Sequence, residues 1–192
     1  MEADFSLFKR KQPSKSSTSK GLSKVAALRI QSEAHEWLMN PPSEFEYTPT
    51  DDLRRWIVQI FGAPGTLYAD EMFNVQFDFT DDYPMEAPEV IFLSPVPLHP
   101  HIYSNGHICL DILYDKWSPA LSVSSVSFSL LSMLSSCTKK ERPPGNDLYV
   151  RRCFGGRSPK EANWHFHDDK VLLAVKPCDQ SSSHLLTCVY VG

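Results

Sequence analysis

Phe73, Val75, Phe77 and Phe79 alternate with Asn74, Gln76 and Asp78. A period of two on so apolar a face is the pattern of a strand with one side buried, and it fixes much of what the rest of the chain must do. Such a strand needs neighbours along its edges and a cover over its apolar face. Residues 56–61 (Trp-Ile-Val-Gln-Ile-Phe) are β-branched and aromatic and run into the Gly62-Ala63-Pro64-Gly65 turn. Val90-Ile91-Phe92-Leu93 follows the breaks at Tyr83-Pro84 and Ala87-Pro88. Two stretches of helical period supply the cover. Ala26, Ile30, Glu33/Ala34 and Trp37 share one face, with Ser23 as N-cap and Asn40-Pro41-Pro42 as stop, so the spacing predicts a helix over 24–39. Val123, Val126, Leu130, Leu131 and Leu134 predict a second helix, and a short helical piece is expected near 147–153. The expected class is α+β: an antiparallel meander with one face on helices.

With 192 residues and 42% hydrophobic side chains, the chain can build one compact domain plus tails. Residues 1–22 form an expected disordered tail, basic and Ser-rich, in which Lys9-Arg10-Lys11 reads either as a nuclear-import signal or as solvated charge. A core is expected over 23–169 and an apolar extension over 170–192, which either adds a strand pair or folds poorly. A net charge of −4 argues against a general nucleic-acid binder. No stretch approaches the ~18 uninterrupted apolar residues of a membrane span, and the N-terminus lacks the apolar run of a signal peptide. Cys109, Cys137, Cys153, Cys178 and Cys188 show no paired spacing, which fits a reducing compartment, cytoplasmic and/or nuclear.

Residues 94–120 lack regular period, and long irregular segments inside compact domains tend to carry function. This one contains His99, His101, His107 and Cys109. Together they could make a His3Cys zinc set, but the spacing H-x-H-x5-H-x-C matches no usual zinc pattern. Loop hydrogen bonds are the better reading of His99 and His107. Cys109 is either a small buried thiol or a nucleophile.

The order of helix, Asn40-Pro41-Pro42, strands, Tyr83-Pro84-x-x-x-Pro88, His99-Pro100, Gly106-x-Ile108-Cys109-Leu110-Asp111-Ile112-Leu113 and Trp117-Ser118-Pro119-Ala120-Leu121 resembles a ubiquitin-conjugating (E2) enzyme over residues 23–150. His-Pro-His with Tyr103-Ser104-Asn105-Gly106, Arg142-Pro143-Pro144 and the later stretch Trp164-His165-Phe166-His167-Asp168-Asp169 resemble the W-type subgroup. The resemblance implies the E2 fold, a four-stranded meander against helices. It also implies that ubiquitin arrives from the activating enzyme (E1) as a thioester on Cys109 and leaves for a substrate amine. No cofactor or metal is implied, since ATP is used by E1. A free thiol has a pKa of about 8.5, so a few per cent thiolate is the expectation near neutrality.

Where the family carries an Asn that stabilises the oxyanion or orders the loop, this chain has His101, and Asn105 is an alternative donor. Asp147 matches the family's amine-orienting acid, with Asn146 as the competing assignment. The W-type resemblance implies a preference for N-terminal α-amines. A RING or U-box ligase is expected on Tyr83, Pro84, Met85, Ser118, Pro119 and Ala120, and E1 on Lys24 and Arg29. Trp117 is expected to pack beside the site. Three alternatives remain open on sequence: an inert E2-like module that binds ubiquitin, an E2 for another ubiquitin-like modifier, and a cysteine protease.

Overall fold

The computed structural model describes residues 22–48, 50–162 and 164. Helix α1 runs Lys24–Met39, where Ser23 Oγ accepts from the Ala26 N–H as the N-cap. Strands β1 (Phe45–Thr48), β2 (Arg55–Phe61), β3 (Met72–Asp78) and β4 (Glu89–Phe92) follow. They pair antiparallel in sequence order as one four-stranded sheet. Helix α2 (Val123–Ser135) opens on a capping box made by Ser122 and Ser125. Helix α3 (Asn146–Arg152) is short, and single 3-10 turns lie at Asp111–Leu113 and Pro159–Glu161. Among the described residues, no helix is long and apolar enough to cross a membrane.

The alternation in β3 sets the register of the sheet. Val58, Val75 and Phe92 face one another across β2, β3 and β4, and Trp56, Phe77 and Val90 form the next row. All six are buried, each worth about 1.5–3 kcal/mol when withdrawn from water. Over this face lie the buried α1 residues Ala26, Ile30 and Trp37 and the α2 residues Val126, Leu130 and Leu134. The α+β class, the meander and both long helices are as expected. The expected fourth strand is β1, to which the sequence pattern assigned no residues.

Apart from Leu22, which packs half-buried against the core and so does not belong to a free tail, the expected basic tail lies outside the described residues. So does the apolar extension over 170–192.

Candidate active site

The irregular segment runs along the edge of β4. Phe92 N–H donates to Gly106 O at 2.9 Å, and isolated bridges join Ile91 to His107 and Ile102 to Ile108. Gly106 sits at φ +88°, and a Cβ there would meet Phe92 O at 2.1 Å, so only glycine lets the loop come this close to the sheet. The tight turn leads into Ile108, fully buried, and then to Cys109, half-buried at the start of the Asp111–Leu113 turn.

Cys109 N–H donates to the His101 carbonyl at 2.8 Å, which brings two of the expected site residues together through backbone. The His101 side chain is exposed, its ring 5.5 Å from that of His99. Asn105 Oδ1 accepts from the His107 N–H at 3.3 Å, so half of its amide is spent on the turn. His99 and His107 are buried and hydrogen-bonded. His99 Nδ1 accepts from the His101 N–H at 3.0 Å and its Nε2 lies 3.2 Å from Met133 O, while His107 Nδ1 lies 2.9 Å from the Tyr149 hydroxyl. Among the described residues, no three potential metal ligands come together.

Burial first, and then the nearby Asp111 carboxylate, push the Cys109 thiol up to about 11. The expected few per cent of thiolate is therefore corrected downward. Among the described residues no cationic side chain offsets these effects, unlike the Cys–His ion pair on which a cysteine protease relies. Tyr103, Tyr114 and Tyr149 each feel charge on Cys109, which marks these phenols as its neighbours. Trp164 stacks against all three, with ring centroids 5.8, 5.0 and 5.5 Å away, and Tyr103 lies 4.0 Å from Tyr149. This aromatic wall was missed in the sequence, although Tyr103 and Trp164 were among the residues that carried the resemblance.

Asp147 stands in the first turn of α3, its Oδ1 accepting from Asn146 Nδ2 at 3.0 Å. Asn146 also grips the site loop, since its Oδ1 accepts from the Ser104 N–H at 2.9 Å and its Nδ2 donates to Ser104 Oγ at 3.1 Å. Asn146 thus ties α3 to the loop, and Asp147 lies beside it in the same turn.

The expected ligase surface divides by burial. Tyr83 and Pro84 are buried and shape their loop from within, whereas Met85 is 72% exposed, and Ser118, Pro119 and Ala120 are exposed too. Trp117 Nε1 donates to Pro84 O at 2.8 Å and joins the two loops. Arg29 faces inward, donating to Glu33 Oε1 at 2.5 Å and to the carbonyls of Pro119 and Leu121 at 3.1 and 2.9 Å. Lys24 is the exposed member of the pair expected to meet E1. Beneath the loops lies Glu33, which the sequence pattern places on the apolar face of α1 without giving it a role. Its Oε1 also accepts from the Tyr83 hydroxyl at 2.5 Å, and its Oε2 accepts from the Val123 N–H at 2.8 Å. A carboxylate on the apolar face of a helix was the available signal.

A family model described as ubiquitin-conjugating enzyme matches residues 29–165. The chain is 64% identical over 152 residues to the probable ubiquitin-conjugating enzyme E2 16 of Arabidopsis thaliana, spanning 79% of this chain and 94% of that protein. It is 52% identical over 145 residues to the probable ubiquitin-conjugating enzyme E2 W of Dictyostelium discoideum, covering 76% and 97%. Among solved structures, the ubiquitin-conjugating enzyme E2 UbcA1 of Agrocybe aegerita superposes with a TM-score of 0.67 at 40% identity, covering 71% of this chain and 99% of that one.

Proposed function

The chain belongs to the ubiquitin-conjugating (E2) enzymes and resembles their W type, and from that membership we propose that it takes ubiquitin from E1 onto Cys109 and passes it to substrate amines with a RING or U-box ligase. The Cys109 sulfur, as thiolate, attacks the carbonyl of the E1–ubiquitin thioester, and the E1 sulfur leaves. An amine then attacks the new thioester, the C–S bond breaks, and the Cys109 sulfur recovers a proton as the amide forms. Neither step requires a bound metal or cofactor, because ATP is spent at E1. The observation that carries the proposal is the half-buried Cys109, whose backbone N–H is held by the His101 carbonyl at the end of the loop. His101 and Asn105 are the two proposed donors to the oxyanion, and Asp147 is the proposed acid for the incoming amine.

N-terminal α-amines are the proposed preferred acceptors. At pH 7.4 roughly a quarter of an α-amine is neutral, against roughly one part in a thousand of a lysine amine. The Asp147 Oδ1 that already accepts from Asn146 is committed to that bond, which leaves Oδ2 to receive an incoming amine. Met85, Ser118, Pro119 and Ala120 are the proposed ligase surface, with Lys24 toward E1. Wild-type protein and Cys109→Ala, incubated with E1, ubiquitin and ATP, give the decisive comparison. The expected result is a ubiquitin adduct that reductant removes and the variant lacks. A folded wild type that forms none overturns the assignment of Cys109 and leaves an inert ubiquitin-binding module or another modifier.

A further inference from the structure

Backbone carbonyls in an irregular segment must find partners outside any ladder. Between Val96 and Ile102 they find side chains from two other parts of the chain. Arg142 Nη1 donates to Pro97 O at 2.7 Å and to Ile102 O at 3.2 Å, while its Nη2 donates to Val96 O at 3.2 Å. The Tyr68 hydroxyl donates to Leu98 O at 2.7 Å. Among the described residues no carboxylate pairs with Arg142. Its charge is instead solvated by the carbonyl dipoles of one loop. A planar fork of five N–H groups can reach three carbonyls of a curved backbone at once, and a lysine ammonium cannot reproduce that geometry. Pro143, buried beside it, fixes the backbone that delivers the fork.

Ile102 adjoins His101, whose carbonyl receives the Cys109 N–H. We propose that Arg142 is a positioning residue for acyl transfer: by gathering the carbonyls of Val96, Pro97 and Ile102 it holds the loop curve that sets His101 against Cys109. The inference rests on Cys109 being the thiol that carries ubiquitin. Its hydrogen bonds go to the loop carbonyls and not to the thiol, so Arg142 acts through the loop. Helix α3 holds the next part of the loop separately, through Asn146 and Tyr149.

Arg142→Met keeps the stem and removes every donor, and Arg142→Lys keeps the charge without the fork. Two readouts on the full chain decide the matter. Amide hydrogen exchange over residues 96–109 is expected to accelerate about tenfold or more in Arg142→Met, while amides of β2 and β3 exchange as in wild type. Single-turnover discharge of the preformed ubiquitin thioester to a free amine is expected to slow about tenfold at saturating amine, with the half-saturating amine concentration unchanged. Arg142→Lys is expected to fall between the two. Unchanged loop exchange overturns the clamp, and so does acceleration spread evenly over the sheet, which means global destabilisation instead. Normal discharge from a loosened loop overturns the catalytic role. If wild type forms no reducible adduct, the assignment of Cys109 fails and the catalytic half falls with it, while the exchange pattern still judges the clamp.

Discussion

At Cys109 two electrostatic facts pull the same way: burial strips water from the thiolate, and Asp111 repels its charge. The Asp111 carboxylate is paired with Lys116 Nζ at 2.7 Å, which moderates its effect without cancelling it. With a pKa of about 11, the thiolate is scarce at neutral pH, on the order of one molecule in ten thousand. The compensation is nucleophilicity, since a more basic thiolate attacks faster once formed and leaves a thioester more slowly. The ubiquitin thioester proposed for Cys109 would accordingly be released to water more slowly than one on an unshifted thiol. Alkylation of Cys109 by iodoacetamide, followed by mass spectrometry, is expected to gain about tenfold per pH unit up to near pH 10. Asp111→Asn is expected to raise the rate about two- to fivefold at pH 8 by removing the like charge. A wild-type plateau at pH 9 would show the thiol to be unshifted.

Among the elements, α1, α2 and the two exposed loops meet at Glu33. Its carboxylate receives Tyr83, Arg29 and the Val123 N–H at the start of α2, so one side chain ties three segments far apart in sequence. Glu33→Ala leaves the Tyr83 hydroxyl and the Val123 amide buried without an acceptor and is expected to cost about 3 kcal/mol in urea unfolding. Glu33→Gln keeps one carbonyl acceptor and is expected to lose about half as much. Equal losses in the two variants would show that charge, not acceptor geometry, does the holding. The same comparison explains what could be read from the sequence. Helix α1 was legible to the residue because Ser23 caps it and Asn40-Pro41-Pro42 ends it, both local signals. Strand β1 was not, because four residues, of which only Phe45 is buried, carry too short an alternation. Cys109 and His101 stood out through their motif. Arg142 showed only as part of its motif and Glu33 only as part of a helical face, since their roles are made by partners 40 to 46 and 50 to 90 residues away.

For the molecule as a whole, the two buried histidines make folding stability depend on pH on the acid side. Burial, chiefly, brings His99 down to about 4 and lowers His107 as well. His99 Nδ1 accepts the His101 N–H, so the ring is neutral with its proton on Nε2, and a second proton would set two donors face to face. A depressed folded-state value means that the unfolded chain binds the proton more readily. The stabilisation is full above the unfolded value near 6.5, declines as pH falls, and is gone below about 4. His99 alone is expected to cost on the order of 2 kcal/mol between pH 7.5 and pH 5, seen as a falling urea midpoint. In His99→Gln the midpoint starts lower and its slope with pH is expected to flatten. A wild-type midpoint constant over that range would show that His99 does not titrate on unfolding. The meander, too, has a consequence at this scale. Each strand pairs with its sequence neighbour, so the sheet can close from contacts local in the chain, which are the quick ones to form. The loop bearing Cys109 needs Arg142, Asn146, Tyr149 and Trp164, all of which leave the ribosome after the thiol does. In the growing chain the scaffold thus precedes the site, and the Cys109 thiol is synthesised before the residues that hold its loop.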